Sequence, residues 1–244
     1  MSFRTSLRVA IVAALLVAAS GAMAQGAPQS ATPPPARIDD TARPALPPDL
    51  ADFAAYVDSA RKTFGVPGIA VAIVKDGKVV MEQGFGDKSL DPKQPVDAHT
   101  LFAIASNTKA FTAAALQQLD EAGKLKMDDR VIDHLPWFRM SDPYVTHEMR
   151  IRDLLSHRSG LSLGAGDLLF WPTTTYSNAE VVARLAHVPL KNGFRDRYAY
   201  DNILFAVATL VIEQASGQSY ADYIRTHIFQ PVGMDESLID KTYI

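Results

Sequence analysis

The sequence predicts a globular α+β protein in which a helix and an antiparallel hairpin come first and further helices follow. Of its 244 residues, 48% are hydrophobic and 21% are charged, a composition that can bury a core. Two apolar runs flank Asp76 and Gly77, the dipeptide that favours a tight hairpin turn. Beyond the hairpin, apolar side chains recur mainly at helical spacing. Together these patterns predict a small sheet and a larger helical part.

Residues 1–24 have the pattern of a secretory signal peptide. Arg4 and Arg8 precede an apolar run from Val9 to Ala19, and small residues follow it. A membrane anchor is the alternative, but this run is shorter than the roughly 20 apolar residues that a spanning helix needs. We therefore expect cleavage before Gln25 and export, which gives a periplasmic or secreted protein without a membrane anchor.

The charge and the cysteine content exclude several classes of protein. The formal net charge is −3 without a basic stripe, so no nucleic-acid partner is expected. None of the six histidines has metal-ligand spacing and there is no glycine-rich phosphate loop, so neither a metal nor a cofactor is expected. The chain has no cysteine and thus no disulfide or thiol for lipid attachment.

The first elements follow from composition and periodicity. Residues 25–48 are rich in proline and alanine and predict a linker, so the folded domain is expected over 49–244. Apolar positions at helical spacing predict an amphipathic helix over Leu50–Phe64. The hairpin strands are expected at about Ile69–Val74 and Val79–Gln83.

Two serine–lysine pairs have the spacing of a catalytic pair, Ser59/Lys62 and Ser106/Lys109. Ser59 lies on the charged face of the first helix and predicts a solvated surface. Ser106 instead precedes a helix with a nearly all-apolar beginning, which we expect to be buried on most of its circumference. The Lys109 amine can reach the Ser106 hydroxyl, at a helix start that favours developing negative charge. The alternative is a helix cap at Ser106 with Lys109 reaching solvent, and the pair alone leaves both open.

Two tyrosines are likewise followed by an asparagine two positions later. Ser177 and Glu180 form a capping-box pattern, which gives Tyr176 and Asn178 a structural explanation at a helix start. The segment from Tyr200 to Asn202 has no such box and leads into an apolar helix. The alternative there is a packed tyrosine with Asn202 as a local cap.

Four motifs in order resemble those of serine β-lactamase-like hydrolases. They are "SNTK" at Ser106–Lys109, "IRDLLSHRSGL" at Ile151–Leu161, "YDN" at Tyr200–Asn202 and "FQPVGMDES" at Phe229–Ser237. That family includes class C β-lactamases, D-alanyl-D-alanine carboxypeptidases, D-aminopeptidases and related esterases. The resemblance covers the chain from about Leu50 onward and implies a β-lactamase/transpeptidase-like fold, with an antiparallel sheet and a helical domain.

The resemblance also implies roles for individual residues. Ser106 would be the nucleophile, Lys109 its activator and Tyr200 the group that passes protons to the leaving group. Asn202 would orient the lysine and bind a substrate carbonyl or amide. His157 would belong to a structural turn. These residue types suit the chemistry, because a hydroxyl needs a nearby base to attack a carbonyl.

The implied function is hydrolysis of an amide or ester bond through an acyl-enzyme on Ser106. The substrate would be a small molecule or a peptidoglycan-type compound: a β-lactam, a D-amino-acid peptide or a small ester. The alternatives are a penicillin-binding or peptidoglycan-binding protein that acylates without turnover, and an inactive fragment. The oligomeric state is left open.

Two features depart from the family pattern. Asp201 stands where a small residue is more usual, and it either adds negative charge beside Tyr200 or points to solvent. The family's third motif, Lys-Thr-Gly or His-x-Gly on a later strand, does not occur before Ile244, since Lys241 and Thr242 are followed by no glycine. The expectation is therefore a truncated hydrolase that lacks the C-terminal strands of the sheet.

Overall fold

The computed structural model describes residues 48–239, which form two compact units divided after Phe102. The expected signal peptide, nearly all of the expected linker, and Lys241 and Thr242 lie outside the described residues. Within 48–239, no helix has both the length and the apolar character needed to cross a membrane.

The first unit is a helix with a three-stranded antiparallel sheet. Side chains along the second strand alternate between the two faces of the sheet. On the inner face, Met81 and Phe85 form a small core with Val57 of the helix. This burial explains the amphipathic pattern of the helix. The elements are α1 (Pro48–Thr63), β1 (Gly68–Lys75), β2 (Lys78–Leu90) and β3 (Lys93–Pro95), with strand order β1-β2-β3.

The predicted hairpin is confirmed, but the sheet is larger than expected. Asp76 and Gly77 have φ angles of 51° and 72°, as a two-residue hairpin turn with both residues left-handed requires. The expectation of only two strands, ending near Gln83, was wrong. β2 continues to Leu90 because its second half pairs with β3, a strand of three exposed residues, Lys93, Gln94 and Pro95, that no hydrophobic alternation marks.

The second unit is helical, and one apolar helix forms its centre. Most residues of α7 are buried, and α7 packs against α2, α3, α5, α6 and α8. The helices of this unit are α2 (Thr108–Glu121), α3 (Val131–His134), α4 (Pro143–Glu148), α5 (Ile151–Leu154), α6 (Asn178–Ala183), α7 (Ile203–Ser216) and α8 (Tyr220–Ile224), followed by a π-helical turn (Arg225–Phe229). Short 3₁₀ turns lie at Ala105–Asn107, Asp167–Leu169, Arg184–His187 and Gln230–Val232.

The burial expected for α2 was wrong. One stripe of this helix is buried, at Thr112, Ala115, Leu116 and Leu119, while Ala114 on another face is exposed. Much of the apolar character of the helix comes from alanines, which promote helix formation whether or not they are buried. Alanine-rich sequence therefore predicted the helix but overestimated how much of it lies in the core.

Candidate active site

Ser106 lies on a 3₁₀ turn that leads directly into α2. Its side chain is exposed, and the preceding Ala105 has an unusual positive φ of 44°. The cap position of α2 belongs to Asn107, and no side chain caps the helix there. The alternative that Ser106 is a helix cap is therefore wrong, and its hydroxyl is available to other partners.

Lys109 extends from the first turn of α2 to two of the predicted site residues. Its Nζ donates to Ser106 Oγ at 3.2 Å and to Asn202 Oδ1 at 2.7 Å. The same amine lies 4.8 Å from the ring centroid of Tyr200 and 5.0 Å from that of Phe205. Such positions allow cation–π attraction. Lys109 is half-buried and held by these contacts, so the alternative in which it reaches out to solvent is also wrong.

Tyr200 approaches the same serine from the segment before α7. Its hydroxyl donates to Ser106 Oγ at 2.6 Å, across 94 positions of sequence. The backbone on either side of the ring is tied down, because Gly164 N donates to Tyr200 O and Ala199 N donates to His157 O. Ser106 Oγ thus receives hydrogen bonds from an amine and from a phenol.

Asn202 is at the first position before α7, but its side chain does not cap the helix. Its Oδ1 accepts from Lys109, while its Nδ2 donates to Asp167 Oδ2 at 3.0 Å. The alternative of a local cap at Asn202 is therefore wrong. An amide has two donor hydrogens and two acceptor lone pairs, so one of each remains after these bonds.

The other serine–lysine and tyrosine–asparagine pairs have structural partners of their own. Lys62 pairs with Asp58 on the surface of α1, where Ser59 is exposed. Ser177 and Glu180 form the predicted capping box of α6. Asn178 donates to Thr209 Oγ1 and Ala206 O, which ties α6 to α7.

His157 packs beneath the tyrosine. Its ring centroid is 4.3 Å from that of Tyr200, and its Nδ1 accepts from Asp201 N at 3.3 Å. Burial and the nearby Lys109 charge lower the pKa of His157, which favours the neutral ring. With Nδ1 as acceptor, the proton of a neutral ring is assigned to Nε2. These contacts agree with the structural role implied for this turn.

Asp201 does not point to solvent, so that alternative was wrong. The residue is fully buried, and Ser159 Oγ donates to its Oδ2 at 3.0 Å. Burial raises the pKa of Asp201 to about 6, against the lowering effects of the Ser159 hydrogen bond and the Lys109 charge. The chain therefore places a buried carboxyl group behind the tyrosine.

Asp167 is a neighbour of the site that sequence reasoning missed. It follows Gly166, which has a φ of 86°, and begins a 3₁₀ turn after the His157 motif. Its contact with Asn202 spans 35 positions, and α6 lies between them, so no local pattern joins the two residues. The only local signal is the closely spaced pair Gly164 and Gly166, which marks a tight turn but not its partner.

The arrangement is suited to proton transfer at a nucleophilic hydroxyl. A serine oxygen within hydrogen-bond distance of an amine and a phenol has partners that can take up its proton and return it. Among residues 48–239, no cluster of His, Asp and Glu side chains could hold a metal ion.

Comparisons with known proteins place these motifs in a family. The family model "Beta-lactamase" matches residues 53–242. The chain is 31% identical over 180 residues to Protein flp of Staphylococcus aureus (strain MW2), covering 72% of this chain and 36% of the relative. It is 33% identical over 177 residues to Penicillin-binding protein 4* of Bacillus subtilis (strain 168), covering 69% and 37%.

A solved structure gives the same result for the fold. The D-amino acid amidase of Ochrobactrum anthropi SV3, complexed with D-phenylalanine, superposes with a TM-score of 0.62 at 27% identity, covering 76% of this chain and 51% of the amidase. The expected β-lactamase/transpeptidase-like α+β fold is therefore confirmed. The chain spans about a third of the length of the curated relatives it matches. By its four motifs, its fold and the family model that matches most of its length, the chain belongs to the serine β-lactamase-like family.

Proposed function

We propose that the protein is a serine hydrolase that cleaves an amide or ester bond through an acyl-enzyme on Ser106. One observation carries the proposal: Ser106 Oγ accepts hydrogen bonds from both Lys109 Nζ and Tyr200 OH. The two donors come from the starts of different helices, so the meeting of all three groups depends on the fold and is not a local accident of sequence.

In the proposed acylation, the Lys109–Tyr200 pair reacts in the form in which the Tyr200 hydroxyl has lost its proton and Lys109 is an ammonium. Ser106 Oγ bonds to the substrate carbonyl carbon while its proton passes to the Tyr200 oxygen. When the intermediate collapses, the C–N or C–O bond breaks and the pair returns a proton to the leaving nitrogen or oxygen. A water molecule then attacks the ester in the same way and releases the acid. Asn202 holds Lys109 and, with its remaining donor, is the proposed contact for a substrate carbonyl.

The substrate class is proposed from the relatives. A D-amino acid amidase and a penicillin-binding protein are among the matches, which favours a β-lactam, a D-amino-acid peptide or a small ester. Peptidoglycan fragments carry D-amino acids and lie outside the cytoplasmic membrane. The proposed export to the periplasm or medium therefore agrees with this substrate class.

The second candidate function is binding of penicillin or peptidoglycan without turnover. It is favoured by the match to Penicillin-binding protein 4*. In this case Ser106 is acylated but water does not release the product. The two functions share the first step and differ in the second, so they are separated by turnover and not by labelling.

The first prediction is that Ser106 is the acylated residue. A fluorophosphonate or a labelled penicillin should attach to the full-length protein, and Ser106→Ala should abolish labelling, because no other hydroxyl within residues 48–239 accepts from both a lysine and a tyrosine. Ser59→Ala is the matched control, since it removes the other serine of a serine–lysine pair, and should label like wild type. Labelling that survives Ser106→Ala or disappears with Ser59→Ala contradicts the assignment.

Turnover then decides between the two functions. Steady hydrolysis of a chromogenic cephalosporin or a short-chain nitrophenyl ester, lost in Ser106→Ala, supports the hydrolase. Stoichiometric labelling without release of product supports the binding protein.

A further inference from the structure

Among the hydrogen bonds of the described residues, Asp167 is linked to the proposed catalytic groups through Asn202. Asp167 Oδ2 accepts from Asn202 Nδ2 at 3.0 Å, and Asn202 Oδ1 accepts from Lys109 Nζ at 2.7 Å. Lys109 in turn donates to Ser106 Oγ at 3.2 Å. These contacts form one continuous series of hydrogen bonds from a carboxylate on a turn to the proposed nucleophile.

The chemistry of the carboxylate decides which way the amide faces. An ionised carboxylate only accepts hydrogen bonds and an ammonium only donates them. With Asp167 on one side and Lys109 on the other, the amide of Asn202 has one satisfactory orientation, NH₂ toward Asp167 and oxygen toward Lys109. The reversed amide would place oxygen against oxygen and NH₂ against the ammonium, so both bonds would be lost.

The turn that carries Asp167 is held firmly against the segment it acts on. Gly164 N donates to Tyr200 O, and Trp171 N donates to Asp167 O, both at 2.8 Å. A Cβ at Gly166 would lie 2.8 Å from the side chain of Ile203, so the backbone approaches α7 as closely as glycine allows. The turn that carries the carboxylate is thus anchored to residues on both sides of Asn202, namely Tyr200 and Ile203.

Packing alone does not explain an acid at this position. Asp167 Oδ1 is buried and has no hydrogen-bond partner among the described residues. A buried acceptor without a partner destabilises the fold. Such a departure from good packing is most often retained where a side chain serves a site.

We propose that Asp167 is a positioning residue that fixes the amide of Asn202 so that its oxygen holds Lys109 against Ser106. The catalytic part of this inference rests on the proposed function, whereas the orientation of the amide does not. Among the described residues, Asp167 makes no hydrogen bond to Ser106 or to the Tyr200 hydroxyl.

The test is a double-mutant cycle on the rate of Ser106 acylation in the full-length protein. Asp167→Ala should lower the rate constant by about 10- to 100-fold, because a misplaced catalytic group typically costs this much. In an Asn202→Ala background, Asp167→Ala should cause little further loss, since the residue through which it acts is gone. Asp167→Asn keeps an acceptor of the same shape and should retain more activity than Asp167→Ala.

A matched control separates positioning from loss of charge or of stability. Asp196→Ala removes an exposed carboxylate elsewhere in the second unit and should leave the rate unchanged. The melting temperature of each variant is measured alongside. An equal fold loss from Asp167→Ala in both backgrounds, or no loss in either, overturns the proposal.

A readout that needs no activity keeps the inference testable if Ser106 is not acylated. The side-chain NH₂ signals of Asn202, identified by their absence in Asn202→Ala, should shift and exchange faster with solvent in Asp167→Ala. Unchanged Asn202 signals overturn the positioning role. Changed signals in a protein that Ser106-directed reagents do not label leave the orientation of the amide in place and refute the proposed function instead.

Discussion

At the scale of single residues, Ser106 is distinguished from Ser59 by its neighbours. Both serines have a lysine three positions later, yet Lys62 pairs with Asp58 on a surface while Lys109 bonds Ser106 and Asn202. An exposed ion pair contributes little energy and imposes little geometry. A half-buried amine with two fixed acceptors has a defined position, which proton transfer requires.

The two tyrosines give the second prediction. Tyr200→Phe should lower acyl transfer by about 10²- to 10⁴-fold, the usual contribution of a positioned acid or base. Tyr176→Phe should leave it near wild type, because Tyr176 is 44% exposed and its ring lies against Arg184. Pre-steady-state labelling of Ser106 measures both variants. Similar losses from the two changes would contradict the role proposed for Tyr200.

The third prediction concerns Asp201 and pH. Its folded-state pKa of about 6 lies above the ordinary value of 3.8, so the folded protein binds this proton more tightly than the unfolded chain does. The contribution of Asp201 to stability therefore falls as pH rises from about 4 to about 6 and is level above that range. A shift of this size corresponds to a cost on the order of 3 kcal/mol at neutral pH.

Denaturant unfolding of wild type and Asp201→Asn at a series of pH values measures this effect. The free energy of unfolding of the variant, relative to wild type, should increase between pH 4 and pH 7, since asparagine has no charge to bury. Ser159→Ala serves as a second variant and should move the transition to higher pH, because the Ser159 hydrogen bond lowers the pKa of Asp201. A difference between wild type and Asp201→Asn that does not vary with pH refutes the prediction.

At the scale of elements, the start of α6 shows that a tyrosine followed two positions later by an asparagine can have a purely structural role. Its capping box satisfies backbone groups at the helix start, and Asn178 bonds α7. Among the described residues, no hydrogen bond joins this segment to Ser106. The segment with the same tyrosine–asparagine spacing before α7 has no box, and its side chains are free to meet Lys109 and Ser106.

The fourth prediction follows from that box. Ser177→Ala should destabilise the protein by about 1 kcal/mol, the typical effect of losing a cap, while Ser106 labelling stays at the wild-type level. Equilibrium unfolding measures the first quantity and a fluorophosphonate the second. Ser59→Ala, on an exposed helical position, should change stability by less than about 0.5 kcal/mol. A loss of labelling in Ser177→Ala would mean that α6 supports the site more directly than its contacts indicate.

The elements that the sequence predicted correctly are those that depend on interactions between residues close together in the chain. The turn at Asp76 and the box at Ser177 are set by residues within three positions of each other, so they were found. β3 was missed because its three exposed residues show no hydrophobic alternation. The burial of α2 was overestimated because alanines favour a helix whether or not they are buried. Within the site, Ser106 and Lys109 follow from helical spacing, whereas their meeting with Tyr200 spans 94 positions and was available only through the family resemblance. The hydrogen-bond partners of Asp201 and Asp167 are 42 and 35 positions away, and no local sequence pattern indicates which residues those partners are.

At the scale of the whole molecule, the proposed catalytic cluster lies within the second unit and uses a short list of segments. Ser106 immediately precedes α2 and Lys109 lies in its first turn, Asp167 begins a 3₁₀ turn, and Tyr200 and Asn202 precede α7. The relatives that share this family are about three times longer than the matched region. The described residues therefore bear on the proposed chemistry at the serine more than on the choice of substrate.

The packing of α2 against α7 has a consequence for the reactivity proposed for Ser106. Ser106 immediately precedes α2, and Tyr200 precedes α7. The 2.6 Å distance between their side-chain oxygens therefore depends on the alignment of the two helices. A slip of one helical turn would move them apart by about 5.4 Å, twice the length of that bond. Labelling of Ser106 should therefore occur only when the two helices are packed in register, so it reports their alignment as well as the presence of the proposed catalytic groups.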